Sequence, residues 1–174
     1  MRDRFTVSFT GTQLGMTLLQ QTTVGRMLAK LKAKHGDRLY GVHGDCVGAD
    51  AMFDGLCAAH GIRRGIYPSD VEEKRAHCER RGADVLAQPA PPLERNTPIA
   101  AAGDLLIAAP KEYDEEMRSG TWATVRRARA LYTERMGPQA SLFEGQRTGS
   151  IVMVWINGAA DFDFPERRAA MIGA

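Results

Sequence analysis

The sequence lacks the features that mark membrane-spanning and disulfide-stabilised proteins. Its longest apolar stretches, such as residues 151–156, fall far short of the roughly 20 residues needed to span a bilayer. Only three cysteines occur, at Cys46, Cys57 and Cys78, and none forms a Cys-x-x-Cys pair. An odd set without such a pair is typical of a reducing compartment. Because no signal-peptide core follows Met1 either, we expect a cytoplasmic protein.

An excess of charge of one sign is also missing. Lys and Arg number 23 against 21 Asp and Glu, which gives a formal net charge of +2. Hydrophobic residues make up 44% and charged residues 25%, as in an ordinary globular domain. These values exclude a strongly basic nucleic-acid coat and an acidic disordered tail, so we expect neither nucleic acid nor a membrane as partner. The length of 174 residues predicts one domain, with a core at 5–156 and a C-terminal tail at 157–174.

Two common nucleotide-binding motifs are absent as well. No lysine follows a glycine at the spacing of a Walker A loop. After the first predicted strand, Gly11 and Gly15 are separated by three residues, which does not match Gly-x-Gly-x-x-Gly. The sequence therefore gives no support to an ordinary dinucleotide cofactor site, and we expect no required cofactor.

The chain does contain a regular alternation of strand and helix patterns. Five strands are predicted, at 5–10, 39–43, 62–67, 104–109 and 151–156. Helices are predicted at 24–32, 49–60, 71–81, 97–102 and 121–135. The last two strands lack polar alternation, as in a parallel sheet with both faces covered. The sequence therefore predicts an α/β sandwich with a mostly parallel sheet of about five strands.

The connecting segments carry weaker patterns. Residues 84–88 resemble a minor strand, and the prolines at 89–92 predict an exposed loop. Residues 158–174 predict a loop with a short helix. Residues 136–150 form a long polar segment, for which we expect a role as a pocket cover or as a subunit contact.

Glycine and hydroxyl residues concentrate in three loops that follow predicted strands. Ligands of open α/β sheets bind at the carboxyl ends of the strands. Glycine lets the backbone approach a ligand closely, and a helix N-terminus offers unpaired N–H groups to an anion. Tight turns use glycine for structural reasons too, but three such loops at one sheet edge predict a ligand site. They read Thr10-Gly11-Thr12-Gln13-Leu14-Gly15, His43-Gly44-Asp45-Cys46-Val47-Gly48-Ala49-Asp50 and Ser119-Gly120-Thr121-Trp122.

Several side chains in these loops have two competing interpretations. Asp45 follows a strand directly, so it is the candidate to contact a ligand and to act as a general acid or base. Asp50 starts a helix, where capping and the helix dipole also favour a carboxylate for structural reasons. Trp122 either stacks on a ligand or packs against its neighbours. Because His43, Asp45, Cys46 and Asp50 share one tight loop, we expect no structural metal site, whereas magnesium accompanying a phosphate is compatible with these residues.

Together these segments, with Arg95-Asn96 and residues 104–110, resemble the SLOG superfamily, and within it the branch of small bacterial and phage proteins related to YspA. The resemblance spans residues 5–129, with the motifs in the family's order. It implies a Rossmann-like fold, a pocket for a nucleotide or nucleotide-derived small molecule, and assembly into a homodimer or a higher homo-oligomer. The ligand-binding residues that it implies are Thr10, Gly11, Thr12, Gly44, Asp45, Gly48, Asp50, Asn96, Pro110, Ser119, Gly120, Thr121 and Trp122.

One departure from the family pattern bears on the expected activity. The phosphoribohydrolases of this superfamily carry a catalytic glutamate shortly after their glycine-rich phosphate loop. Here no acid occurs between Thr121 and Ala130. The resemblance then implies a sensor or sequestering module that binds the ligand without chemistry. The alternatives are a hydrolase of a nucleotide or ADP-ribose-like ligand, with Asp45 as acid/base group, and DNA binding as in the family's DNA-processing members.

Overall fold

The structure is a computed structural model that describes residues 4–136 and 150–163. The strands are β1 (Phe5–Gly11), β2 (Leu39–His43), β3 (Arg63–Ile66), β4 (Asp84–Val85), β5 (Leu105–Ala109), β6 (Ser150–Val154) and β7 (Ala160–Phe162). The helices are α1 (Leu18–His35), α2 (Ala49–Ala59), α3 (Pro92–Ala102) and α4 (Gly120–Met136), and 3₁₀ helices span Gly36–Arg38, Glu72–Lys74 and Cys78–Arg81. Among the described residues, none of the helices combines the length and apolar character that a bilayer crossing needs.

The seven strands form one sheet in the order β4-β3-β2-β1-β5-β6-β7. The pairs among β1 to β6 are all parallel, and β7 alone pairs antiparallel, with β6. The predicted α/β class and mostly parallel sheet are confirmed. The five predicted strands form the centre of the sheet, and the count rises to seven because the short strands β4 and β7 extend its two edges.

Helices pack on both faces of this sheet. Alternate residues of a strand point to opposite faces, and β5 shows this directly, since Ile107 belongs to one buried cluster and Leu106 to another. The first cluster contains residues of α1 and α2 packed against the sheet. In it, Phe9 of β1 stacks on Phe53 of α2 with ring centroids 4.5 Å apart. The second cluster contains residues of α3 and α4, with Trp122 fully buried. Coverage of both faces explains why β5 and β6 show no alternation of polar and apolar residues.

Residues 71–81 differ from the predicted helix, because they form two short 3₁₀ helices. The break lies at His77, whose φ of 54° is left-handed. Asp45 accounts for this break, since its carbonyl accepts the Ala76 N–H and its carboxylate accepts the Cys78 N–H. Hydrogen bonds to a distant loop therefore replace those that a continuous helix would make.

Two further predictions require correction. The helix predicted at 97–102 begins earlier, at Pro92. Proline is suited to the first turn of a helix, because the N–H groups there have no partner within the helix and the missing N–H of proline costs nothing. The predicted loop-and-helix tail begins instead with β7, where Ala160 pairs with Val154. The remainder of the predicted tail (164–174) and nearly all of the polar 136–150 segment lie outside the described residues.

Gly48 is the position where the β1–α1 and β2–α2 loops approach most closely. Its φ is +87°, and a Cβ there would overlap the main chain of Gln13. Gly48→Ala is therefore expected to lower the free energy of unfolding by about 2 kcal/mol. Gly55→Ala is the matched control, because Gly55 lies in α2 with nothing within 4 Å of its Cβ position, and a gain of up to about 1 kcal/mol is expected there. Urea denaturation measures both values, and equal effects would contradict the close approach of the loops.

Candidate ligand-binding site

A cavity of about 470 Å³ opens at the carboxyl edge of the sheet. This volume lies within the usual range for small-molecule sites, roughly 300–1,000 Å³. The three predicted loops and α3 line it, together with Lys74 of the β3–α3 connection (residues 67–91, which include β4). The predicted site residues that line the cavity are Thr10, Gly11, Thr12, Gly44, Asp50, Asn96, Ser119, Gly120 and Thr121.

Four of the predicted site residues do not line the cavity: Asp45, Gly48, Pro110 and Trp122. Gly48 shapes its turn, and the Pro110 carbonyl accepts a hydrogen bond from Gln20 at 2.9 Å. Trp122 is fully buried, with its ring centroid 6.4 Å from that of Trp155. Of its two interpretations, packing against neighbours is therefore the one that the geometry fits.

Asp45 is fully buried and does not line the cavity. One oxygen accepts the Cys78 N–H at 2.8 Å, and the other accepts Arg75 Nε at 2.9 Å. Both oxygens are therefore occupied within the protein. The expectation that Asp45 contacts the ligand or acts as an acid or base does not fit this geometry. The loop sequence could not show this, because the two partners of Asp45 lie 30 and 33 positions further along the chain.

Asp50 combines a structural role with a place on the cavity wall. Its Oδ2 accepts the N–H groups of Gly44 and Cys46 at 3.1 and 3.2 Å, which fixes the β2–α2 turn. Burial raises the pKa of the Asp50 carboxyl, and the neighbouring His43 and Arg95 only partly oppose this rise. The cavity wall therefore contains a carboxyl group whose ionised form is disfavoured.

Arg95 is a cavity residue that the sequence analysis did not assign to the site. It is only 7% exposed, and its guanidinium donates to the carbonyls of Gly44 and Tyr67 and, at 2.8 Å, to the Cys46 sulfur. A Cβ at Gly44 would overlap this guanidinium. Within the described residues Arg95 forms no salt bridge, and its buried Nε has no hydrogen-bond acceptor. The Arg95-Asn96 pair indicated in the sequence that this part of the chain belongs to the site, but the sequence did not show that the arginine is buried.

The first turn of α4 forms another part of the wall. In the described part of the chain, no acceptor is recorded for the N–H groups of Gly120 and Thr121, and the space beside Gly120 is open. The first N–H groups of a helix are unpaired by geometry and lie at the positive end of its dipole. Arg118, also on the cavity, adds a guanidinium without a carboxylate partner among those residues. This wall is suited to an anion.

A buried cluster of His43, Asp54 and Cys78 lies outside the cavity, with ligand-type atoms within 4.8 Å of one another. The Asp45 N–H donates to His43 Nδ1 at 3.2 Å, so the ring carries its proton on Nε2, next to Asp54 Oδ1. That proton occupies the position where a metal would bind. Arg64 and Arg81 also donate to Asp54 and Cys78. In this arrangement the three side chains and the two arginines form a buried network of ion pairs and hydrogen bonds.

The pH dependence of stability tests the burial of Asp50. A carboxyl with a raised pKa in the folded state supports stability at low pH and loses that contribution as pH rises through the raised value. Asp50→Asn keeps an acceptor oxygen, so its stability relative to wild type is expected to increase as the pH rises above about 4, the ordinary pKa of an aspartate. Asp37→Asn is expected to show its slope at lower pH instead. The hydrogen bond from Lys32 lowers the pKa of Asp37, so the wild type loses the contribution of Asp37 only as the pH falls below about 4, and the stability of Asp37→Asn relative to wild type rises there. Urea denaturation above and below about pH 4 measures both variants, and a flat difference for Asp50→Asn above that pH would contradict the burial of Asp50.

Comparison with known proteins identifies the fold and not a family. No protein-family model and no curated protein sequence matches the chain. The structure is similar to DNA processing protein A (DprA) from Streptococcus pneumoniae, with a TM-score of 0.54 and 19% identity over 73% of this chain and 47% of that one. It is also similar to the structural genomics target TM1055, with a TM-score of 0.53 and 14% identity over 74% and 71% of the two chains. The chain thus spans about half the length of DprA, and these similarities show a shared Rossmann-like α/β fold.

Proposed function

We propose that the chain is a member of the SLOG superfamily that binds a nucleotide or nucleotide-derived small molecule in this cavity, as a sensor or sequestering module. The observation that carries the proposal is the open first turn of α4, where the N–H groups of Gly120 and Thr121 border the cavity. A phosphate bound there accepts these N–H groups and gains from the helix dipole. The motif order supports placement in the YspA-related branch.

The rest of the cavity supports an organic ligand attached to the phosphate. Asn96 lies on the wall, and within the described residues its side-chain amide has no protein partner. An amide of this kind offers both a donor and an acceptor, as a ribose or a base requires. The buried Arg95 and the exposed Arg118 supply positive charge on two different elements. Polar groups at several points of one cavity fix both the identity and the orientation of a ligand.

Hydrolysis of the same ligand is the second candidate function. The position of Glu116 on the cavity wall favours it. Glu116 lines the cavity, and no partner of its carboxylate is recorded among the described residues. An acid at this place meets the first requirement of a general acid or base, which is access to the ligand. Binding without chemistry remains our proposal because Asp45, the acid expected to act, is held inside the protein by Arg75 and Cys78.

Gly120→Asp tests the proposal without damaging the fold. Nothing lies within 4 Å of the Cβ position at Gly120, and a carboxylate in the first helical turn contributes about 0.5 kcal/mol of stability through the dipole. The variant without ligand is therefore expected to be at least as stable as wild type. The wild type gains about 2.7 kcal/mol from a ligand at 100 times its dissociation constant. Gly120→Asp is expected to lose this gain, because its carboxylate occupies the anion position.

Thermal denaturation with nucleoside mono- and diphosphates, cyclic nucleotides and ADP-ribose, with magnesium and with EDTA, measures the gain. Gly120→Asn is the matched neutral control and is expected to retain most of the binding. Mass spectrometry after incubation separates the two candidates, since intact ligand supports binding and a released base or phosphate supports hydrolysis. Unchanged ligand binding by Gly120→Asp, or no stabilisation of the wild type by any compound, contradicts the proposal.

A further inference from the structure

The β3–α3 connection brings a cation to the cavity that belongs to none of the three glycine-containing loops. Lys74 ends the 3₁₀ helix Glu72–Lys74, is exposed, and lines the cavity. Within the described residues its ammonium pairs with no carboxylate. The nearby Glu72 pairs instead with Arg75 at 3.8 Å and with His77 at 3.1 Å. Lys74 therefore presents to the cavity a positive charge that forms no salt bridge with any carboxylate at 4–136 or 150–163.

The main chain around Lys74 is attached to the β2–α2 loop. The Lys74 carbonyl accepts the Val47 N–H at 2.9 Å, and Arg75 forms an antiparallel bridge with Cys46. The Ala76 N–H donates to the carbonyl of the residue preceding Cys46, at 2.8 Å. Because the β2–α2 loop is itself part of the cavity wall, these contacts fix the main chain of Lys74 beside the cavity.

A buried ion pair strengthens this attachment and explains the position of Asp45. Arg75 Nε donates to Asp45 at 2.9 Å, with side-chain exposures of 12% and 0%. Burial opposes the charge of the arginine, but the hydrogen bond and the charge of Asp45 outweigh it and hold the pKa of Arg75 above its usual value. Removing one partner of such a buried pair is strongly destabilising. Asp45 is thus a positioning residue for the segment that carries Lys74.

Lys74 and Arg95 approach the same short stretch of the β2–α2 loop. The Arg95 guanidinium donates to the Cys46 sulfur at 2.8 Å, and the next residue, Val47, donates to the Lys74 carbonyl. Both cationic residues line the cavity, and neither forms a salt bridge in the part of the chain that the structure describes. The Asp50 carboxyl beside Arg95 has a raised pKa, so its ionised form is disfavoured. The unpaired N–H groups of Gly120 belong to a separate element, α4. The cavity therefore has two places that favour negative charge.

We propose that Lys74, together with Arg95, forms a second anion-binding subsite of the cavity, so that the ligand carries two anionic groups. This rests on the proposed function and narrows the ligand class to nucleotides with a second phosphate or an equivalent anion. One group binds at the first turn of α4, and the other binds beside Cys46. Lys74 then determines specificity, because a ligand with one phosphate leaves its ammonium unpaired.

Isothermal titration calorimetry with three probes tests this subsite. The probes are adenosine monophosphate, adenosine diphosphate and adenosine 3′,5′-bisphosphate, which carry one phosphate, two adjacent phosphates and two separated phosphates. At least one doubly phosphorylated probe is expected to bind the wild type about tenfold more tightly than the monophosphate, because its second phosphate accepts a charge-assisted hydrogen bond from Lys74. Lys74→Ala is expected to remove this preference, and Lys74→Arg to retain most of it.

Lys30→Ala is the matched control, because Lys30 is exposed on α1 and does not line the cavity. The Lys30→Ala variant is expected to prefer doubly phosphorylated probes over the monophosphate to the same extent as wild type. A wild type that binds all three probes equally, or a Lys74→Ala variant that keeps the preference, overturns the second subsite and leaves the proposed function standing. Failure of the wild type to bind any of the three also overturns the subsite, while the wider set of ligands described above decides the proposed function separately.

Discussion

The β2–α2 turn is the element on which the rest of the cavity depends, and the Asp50 carboxylate holds it. That carboxylate accepts two main-chain N–H groups of the turn. With the turn fixed, Gly44 leaves room for the Arg95 guanidinium and Gly48 allows the β1–α1 loop to approach. Cys46 and the residue after it hold the β3–α3 connection. One short loop thus positions three of the surrounding walls.

The buried positive charge of Arg95 lowers the stability of the empty protein and favours the binding of an anionic ligand. Arg95 is buried with neutral hydrogen-bond acceptors only among the described residues, and burial of a charge that forms no salt bridge costs free energy. The neighbouring Asp50 carboxyl offsets this charge only in part, because burial raises its pKa and disfavours its ionised form. An anion that enters the cavity recovers part of the cost of burying Arg95. Left-handed φ values occur at Asp45 (59°) in the β2–α2 loop and at His77 (54°) in the segment that carries Lys74.

The sequence predicted the fold and the place of the site better than it predicted individual roles. Strand and helix periodicity located the five central strands, and the glycine positions located the sheet edge where the cavity lies. These signals are local, within a few residues along the chain. Asp45, Arg95 and the 71–81 segment were misjudged or missed because their partners lie far away in sequence: Arg95 contacts Gly44 across 51 positions and Asp45 contacts Arg75 across 30. No local pattern reports such contacts.

The central claim is that the first turn of α4 binds a phosphate of the ligand. A crystal structure grown with the most stabilising nucleotide of the thermal series tests this claim most directly. The account predicts a phosphate oxygen within hydrogen-bond distance of the Gly120 and Thr121 N–H groups, with the nucleoside extending along the cavity towards Asn96. A nucleotide bound elsewhere on the surface, or one whose phosphates make no contact with this turn, would contradict it.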